Sequence, residues 1–427
     1  MKKAVVFYSR DFLSTEFPKL KKYFLDYKRI YVVCSSNEKK NVKNLDKESI
    51  VYNIHEKFGN QSNIKIDFNT FNNDRFLRNY SNKEIKEIIT TIINITNEIN
   101  NTFSVKFYLD EPVSGFPNFF FNREFKKTGG LCMHFQPSWV PNLLYFVTDS
   151  AQLDPIKVNI TQNGEEIVNN HVEDRNIGKS RPTYVINYSS INKRIYDIIL
   201  NSLKLFYRVL FKKKQYYLDA DVSAHLIHIK CLYLSIFKKY SLDPIKSLNY
   251  KYVLFPLHYE PESVLNYFSK YTRQEEIASQ ILDTLPMGYK LILKEHPSQP
   301  GALHLNKWDD LRKSKRVVLL KGKYNTKSLF DNLNVCVVSI GSTMALEAAL
   351  YGKLVGVLGD VHFSNAPGIY KLNSPKDWTS LIGNETASPQ EIKKWYSKFI
   401  NDYCIEGNIM KDNTKLNDFD KFLKTCS

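Results

Sequence analysis

The chain has 427 residues, 43% of them hydrophobic and 24% charged, the balance of a soluble globular protein long enough for two domains that each bury a core. A formal net charge of +16 favours polyanionic partners: nucleic acid, an anionic membrane face, an acidic glycan or a nucleotide-linked acid sugar. The sequence has no zinc-finger spacing, RNA-binding signature or compact Arg-rich block, which argues against nucleic acid.

Ala4 to Tyr8, Arg29 to Cys34 and Ile50 to Ile54 read as short strands, with Phe17 to Tyr27 a helix between the first two. The opening apolar run is too short for a signal peptide. Cys34, Cys132, Cys231, Cys336, Cys404 and Cys426 form no C-x-x-C pair and read as reduced thiols, so the expected location is the cytoplasm. Ile85 to Ile99 has a helical period and Val105 to Leu109 is a strand, so the first half predicts a doubly wound α/β sheet.

That last strand runs into Asp110, Glu111 and Pro112, before a helix or mixed loop over Val113 to Lys127. Two adjacent carboxylates at a strand end suit general-base chemistry, since like charge raises one pKa; equally, they suit a helix N-terminus, where acids meet the dipole. Gly129 and Gly130 lead into LCMHFQPSWVP, where His134 and Trp139 are either core residues or a cleft histidine and a sugar-stacking ring. Residues 155–190 lean toward β structure and are poorly patterned. Ile191 to Tyr240 is helical, with Lys193, Arg194, Lys204, Arg208 and Lys212 to Lys214 interspersed; it reads as a connector or as a basic amphipathic surface that touches an anionic membrane, and its charges exclude a membrane span.

Three signals then organise Tyr252 to Asp360: YVLFPLHYEPES, KLILKEHPSQPG and VCVVSIGSTMALEAALYGKLVGVLGD. Each is a short apolar strand that breaks into a polar loop, the place where an open parallel sheet puts its ligands. Gly341, Ser342 and Thr343 form a turn into a helix over Met344 to Tyr351, whose capped N-terminus suits an anion. Pro297 stops the second strand and fixes where His296 points. Ser388 to Cys426 reads as helices.

FPLHYEPES, the helix with Gln274, LPMGYKLILKEHPSQ and GSTMALEAALYGK together resemble the bacterial capsule polysaccharide biosynthesis glycosyltransferases, a group similar to Kdo transferases and to His-Pro-motif sialyltransferases. The resemblance is strong over Tyr252 to Asp360. It implies a GT-B-like α/β fold, two Rossmann-like domains facing across a cleft: an acceptor and base domain at 1–190, a helical connector at 191–244, a donor domain at 245–385, and C-terminal helices at 386–427 packing back on the first domain.

It also implies inverting transfer of Kdo or another nonulosonate from a CMP-sugar to a glycan or glycolipid acceptor, without a cofactor or metal. His296, Pro297, Ser342 and Thr343 would hold the donor phosphate, with Lys294 adding charge and Glu347 reaching the ribose. Glu262 matches the family's Pro-Glu pair, whereas Glu260 replaces an expected Gln; His258 and Tyr259 are base or donor contacts. Asp110 or Glu111 would be the base, Asp110 before Glu111, although Pro112 stands where related enzymes have Gly. A sugar-nucleotide epimerase of the same fold and a catalytically silent assembly or export partner are the other readings.

Overall fold

The computed structural model describes residues 1–56, 74, 80–111, 115–148, 154–158, 160, 162–176, 191–211, 218–241, 249–260, 269–412 and 414–426. It divides into two compact units, Met1–Gln162 with Tyr207–Asp221 and Ile400–Ser427, and Asn163–Phe206 with Val222–Phe399.

The first unit is built on β1 (Lys2–Tyr8), β2 (Lys28–Val33), β3 (Ile50–Asn53), β4 (Phe103–Asp110), β5 (Leu131–Pro137) and β6 (Leu143–Val147). Strands β1 to β5 pair in parallel and β6 runs antiparallel to β5. In β1 successive side chains are buried on opposite faces: Ala4, Val6 and Tyr8 pack with Ile88, Ile92 and Phe121, while Val5 and Phe7 pack with Leu13, Phe17 and Phe24. A strand covered on both sides has no reason to alternate in polarity, which is why AVVFY reads as an unbroken apolar run. The helix Asn82–Thr102 contributes one stripe, Ile85, Ile88, Ile92, Ile95 and Ile99, and starts at a capping box between Ser81 and Glu84. The expected helix over Phe17 to Tyr27 is a 3-10 segment, Phe17–Tyr23, with Pro18 near its start.

The second unit carries β7 (Lys251–Pro256), β8 (Tyr289–Lys294), β9 (Val317–Leu320), β10 (Val335–Ser339), β11 (Val355–Val357) and β12 (Ile369–Lys371). All its strand pairs are parallel, in the order β12-β11-β10-β7-β8-β9. The chain builds outward from β7 through β8 and β9, then crosses to the other side of β7 for β10. The crevice between the ends of β7 and β10 is therefore a topological switch point, where ligands of open parallel sheets bind.

Two segments differ from expectation. Residues 164–176 form a helix, Gly164–Asn176, where β structure was expected; Asn163 accepts from the Glu166 N–H at 3.3 Å, and Glu165 and Glu166 in the first turn suit the dipole. This helix belongs to the second unit, tied there by Arg175 to Glu347, by Asn176 to Tyr351 at 2.7 Å and by Asn169 to Lys393 at 3.0 Å, so the boundary falls between Gln162 and Asn163 instead of at 190. The C-terminal stretch is helical only over Pro389–Tyr403 and Phe419–Cys426; between them β13 (Cys404–Asn408) and β14 (Lys415–Leu416) extend the first sheet, β13 pairing antiparallel with β6. Cys404 and Ile405 are buried there, and Phe419 and Phe422 enter the core against Phe146.

The loop after β8 is fixed by a close approach of backbones. Gly301 has φ of 88°, and a Cβ there would lie 1.9 Å from the Cys231 carbonyl oxygen in the helix Leu218–Phe237. Gly301→Ala is thus expected to destabilise the protein by at least about 2 kcal/mol, read from urea unfolding, because both the left-handed backbone and the contact become unfavourable. Unchanged stability would mean that the helix does not pack on this loop.

Candidate functional site

In the second unit the ends of β7, β8 and β10 converge through hydrogen bonds. The Gly341 N–H donates to His258 Nε2 at 3.2 Å, joining the loop after β10 to the loop after β7 across the switch point. His258 is buried, and Gln274 clamps its peptide by accepting from the N–H at 2.7 Å and donating to the carbonyl at 3.2 Å. His258 therefore presents an acceptor to the turn, with its ring proton on Nδ1, and acts as a positioning residue.

Ser342 caps the helix Thr343–Leu350: its Oγ accepts from the Met344 N–H at 3.3 Å, and its own N–H donates to Ser339 Oγ at 2.9 Å. The Ala345 N–H donates to the Ser342 carbonyl at 2.9 Å. Much of the turn's amide capacity thus serves the turn itself. What it presents to a ligand is the half-buried Ser342 hydroxyl, the half-buried Thr343 at the first helical position, and the positive end of the helix.

His296 is half-buried at the end of β8. Its Nδ1 accepts from the Ser298 N–H at 3.2 Å, which leaves the proton of a neutral ring on Nε2, a donor for an oxyanion. Its ring meets the Tyr259 ring edge-on at 5.9 Å, and the Tyr259 hydroxyl bonds His228 Nε2 at 2.6 Å. The Pro297 carbonyl accepts from Arg194 at 3.1 Å. Gly322 lies under this loop, where a Cβ would come 2.7 Å from Pro297 Cα.

The charged residues around these loops are engaged inside the protein. Lys294 is 2% exposed and donates to the Gly322 carbonyl at 2.7 Å; burial lowers its pKa to about 8, opposed by Glu347 and Glu295. The Glu347 carboxylate, expected at a ribose, pairs with Arg175. Glu295, next to His296, is buried and accepts from Tyr240 at 2.7 Å and the Leu303 N–H at 3.0 Å; burial pushes it up to about 7. Glu260 accepts from Gln274 at 2.7 Å and pairs with Lys307, while its peptide bonds Gln299 at 2.9 and 3.1 Å. Glu262 lies outside the described residues.

The first unit has its own switch point, between β1 and β4, and Asp110 and Glu111 stand there with Arg10. Asp110 is fully buried: its carboxylate accepts from Tyr108 at 2.6 Å, from the Glu111 N–H at 2.7 Å and from Asn118 at 3.0 Å. Burial, and then the charge of Glu111, push it well above the usual carboxylate range, while the donors pull the other way. Glu111 is held on every side, by Asp110 at its N–H, by His134 Nδ1 at its carbonyl at 3.2 Å and by Arg10 at its carboxylate, and its side chain keeps 15% exposure. Of the expected pair, only Glu111 keeps part of its side chain exposed. His134 and Trp139 are core residues, 0% and 3% exposed.

Next to this, the loops after β1 and β2 are bridged by Glu38, which accepts from the Asp11 and Cys34 N–H groups, both at 2.7 Å, and which burial pushes up to about 7. The chain's own carboxylate occupies a cradle that an anion would use. Sequence reasoning gave no site role to Arg10, Glu38, Arg175, Arg194, His228, Tyr240 or, within the HPSQ motif, Gln299, because each works through partners distant in sequence. Among the described residues no group of three or more His, Cys, Asp or Glu is placed to hold a metal.

Both units are thus α/β folds with loops gathered at a switch point, and comparison with known proteins narrows the class. The model of the family described as capsule polysaccharide biosynthesis protein matches residues 169–400, more than half of the chain, and the chain belongs to that family. Similar solved structures include Thermosulfurimonas dismutans KpsC, beta Kdo 2,7 transferase (10% identity, 81% of this chain and 97% of that chain, TM-score 0.36). They also include an S. aureus MnaA-UDP co-structure (11%, 94% and 89%, TM-score 0.25) and the wall teichoic acid polymerase TagF (10%, 95% and 85%, TM-score 0.23). No curated protein sequence matches the chain.

Burial lowers the His134 pKa to about 4, against 6.5 for the ordinary group. The unfolded chain therefore binds the extra proton between those values, so this residue's contribution is complete above pH 6.5 and is lost as pH falls toward 4. Urea unfolding of His134→Gln at pH 7 and pH 5 should show a pH slope shallower than that of the wild type, by up to about 1.4 kcal/mol per pH unit. Equal slopes would mean that His134 is not buried neutral.

Proposed function

We propose that the chain is an inverting glycosyltransferase that moves an acidic sugar, Kdo or another nonulosonate, from a CMP-linked donor to a surface glycan or glycolipid acceptor. Family membership and the resemblance of the His-Pro and Gly-Ser-Thr motifs support this reading. The observation that carries it is the Gly341 to His258 bond, which ties the capped helix Thr343–Leu350 to the loop after β7, the loop that in turn meets the His296 loop through Glu260 with Gln299 and Tyr259 with His296.

The donor's single phosphate would meet His296 Nε2–H, the Ser342 hydroxyl and the N-terminal end of that helix. When the bond between the anomeric carbon and the phosphate oxygen breaks, its electron pair stays on CMP, and these donors would stabilise the growing charge. The acceptor oxygen forms its bond on the opposite face of the sugar, and its proton passes to Glu111. Asp110, His134 and Arg10 are assigned to holding Glu111 in place, a preorganisation the reaction would otherwise have to supply. Lys294, Arg175 and Glu347 brace the loops from within.

CMP at 100 times its Kd is expected to stabilise the protein by about 2.7 kcal/mol in thermal shift, with His296→Ala abolishing most of the effect. Strong stabilisation by UDP or GDP with none by CMP would overturn the donor assignment. Glu111→Gln should lower kcat by about 10²- to 10⁴-fold while the Kd for CMP holds, measured by sugar transfer and by calorimetry; near-wild-type turnover would move the base elsewhere. A one-phosphate donor offers no diphosphate for a divalent ion to bridge, so transfer should persist in EDTA, and its loss with recovery on added magnesium would sink that part.

A further inference from the structure

The helices Ile191–Phe211 and Leu218–Phe237 hold large apolar side chains in solvent. On the first, Tyr196, Ile199, Leu203 and Phe206 are 63%, 55%, 62% and 64% exposed; on the second, Tyr233 and Phe237 are 60% and 66% exposed. The spacing 196, 199, 203, 206 puts the first four on one side of their helix, a continuous stripe and not scattered exposure. Stripes of this kind mark a surface that something covers.

Charge selects what covers it. Exposed Lys193 and Lys204 border one side of the stripe, the helix sequence sets Lys193, Arg194, Lys204 and Arg208 against the single acid Asp197, and the chain as a whole carries +16. A second copy would bring the same positive excess. A bilayer with anionic headgroups offers an apolar layer beneath opposite charge. Among the described residues no helix is long and apolar enough to cross a membrane, so contact would be made lying on the surface.

We propose that this helix pair docks the protein on an anionic phospholipid surface, the stripe entering the acyl boundary and the lysines meeting headgroup phosphates. The same helices reach the candidate site: Arg194 holds the Pro297 carbonyl at 3.1 Å, and His228 holds the Tyr259 hydroxyl at 2.6 Å. The surface that meets lipid is thus built in one piece with the supports of the His296 loop.

Sedimentation of the full chain with vesicles tests this independently of any sugar chemistry. The wild type should bind vesicles of phosphatidylcholine with about one third phosphatidylglycerol, and bind pure phosphatidylcholine far more weakly. The combined variant Ile199→Ser, Leu203→Ser, Phe206→Ser, all at exposed positions, should keep the wild-type circular dichroism and lose at least about tenfold in vesicle affinity. Lys193→Gln with Lys204→Gln should weaken binding and its salt dependence. The proposal is overturned if the serine variant binds as the wild type does, if both vesicle types bind equally, or if vesicles do not bind and the serine changes instead dissolve a dimer seen by analytical ultracentrifugation.

Discussion

The hydrogen bond from the Gly341 N–H to His258 Nε2 spans the one place in the second sheet where neighbouring strands lead their chains apart. Strands β7 and β10 lie side by side, yet their loops depart in opposite directions, and such a gap is open unless something ties it. Here the tie is the His258 imidazole, itself fixed by the Gln274 amide on both sides of its peptide. The turn that carries Ser342 and Thr343 is therefore only as well placed as His258 is.

A second regularity is that the strand ends spend most of their charge on themselves. Lys294, Glu295, Glu347 and Glu260 in the second unit, and Asp110 and Glu38 in the first, all meet partners within their own unit. Lys294, Glu295 and Asp110 are buried, where a polar group left without its partner is costly, so these three hold their loops in a single arrangement. His296, Ser342 and Glu111 gain their definition from that surrounding rigidity, as preorganised sites require.

The α/β character of both units was legible because parallel strands covered on two faces leave unbroken apolar runs, as in Val5 to Tyr8 and Leu291 to Leu293. The convergence of His258, His296 and Ser342 could also be anticipated from strand ends and turn residues. The helix Gly164–Asn176 was missed although Asn163-Gly164-Glu165-Glu166 is a capping sequence, since its buried face is small: Gly164, Val168 and His171. Strands β13 and β14 were missed because Cys404 to Asn408 contains one short apolar pair and a Gly, and only pairing with β6 decides its conformation. The ordering of Asp110 and Glu111 was also beyond the sequence, because neighbours in a strand point to opposite sides and only the fold says which side is filled.

The strand β13 has a consequence for how the molecule is made. It pairs with β6 across more than 250 residues of intervening chain, as Cys404 sits beside Tyr145. During synthesis β6, beyond its bridge from Val147 to Pro155, is an uncovered sheet edge until the entire second unit has emerged, the condition in which strands recruit wrong partners. Contacts so distant in sequence are slow to form, so the second unit, whose strands lie closer together along the chain, is placed to fold before the first is sealed. Nascent chains halted just before residue 404 should then be the aggregation-prone species, and the late-arriving Ile405, Phe419 and Phe422 act as the closing seam of a core begun at Val5.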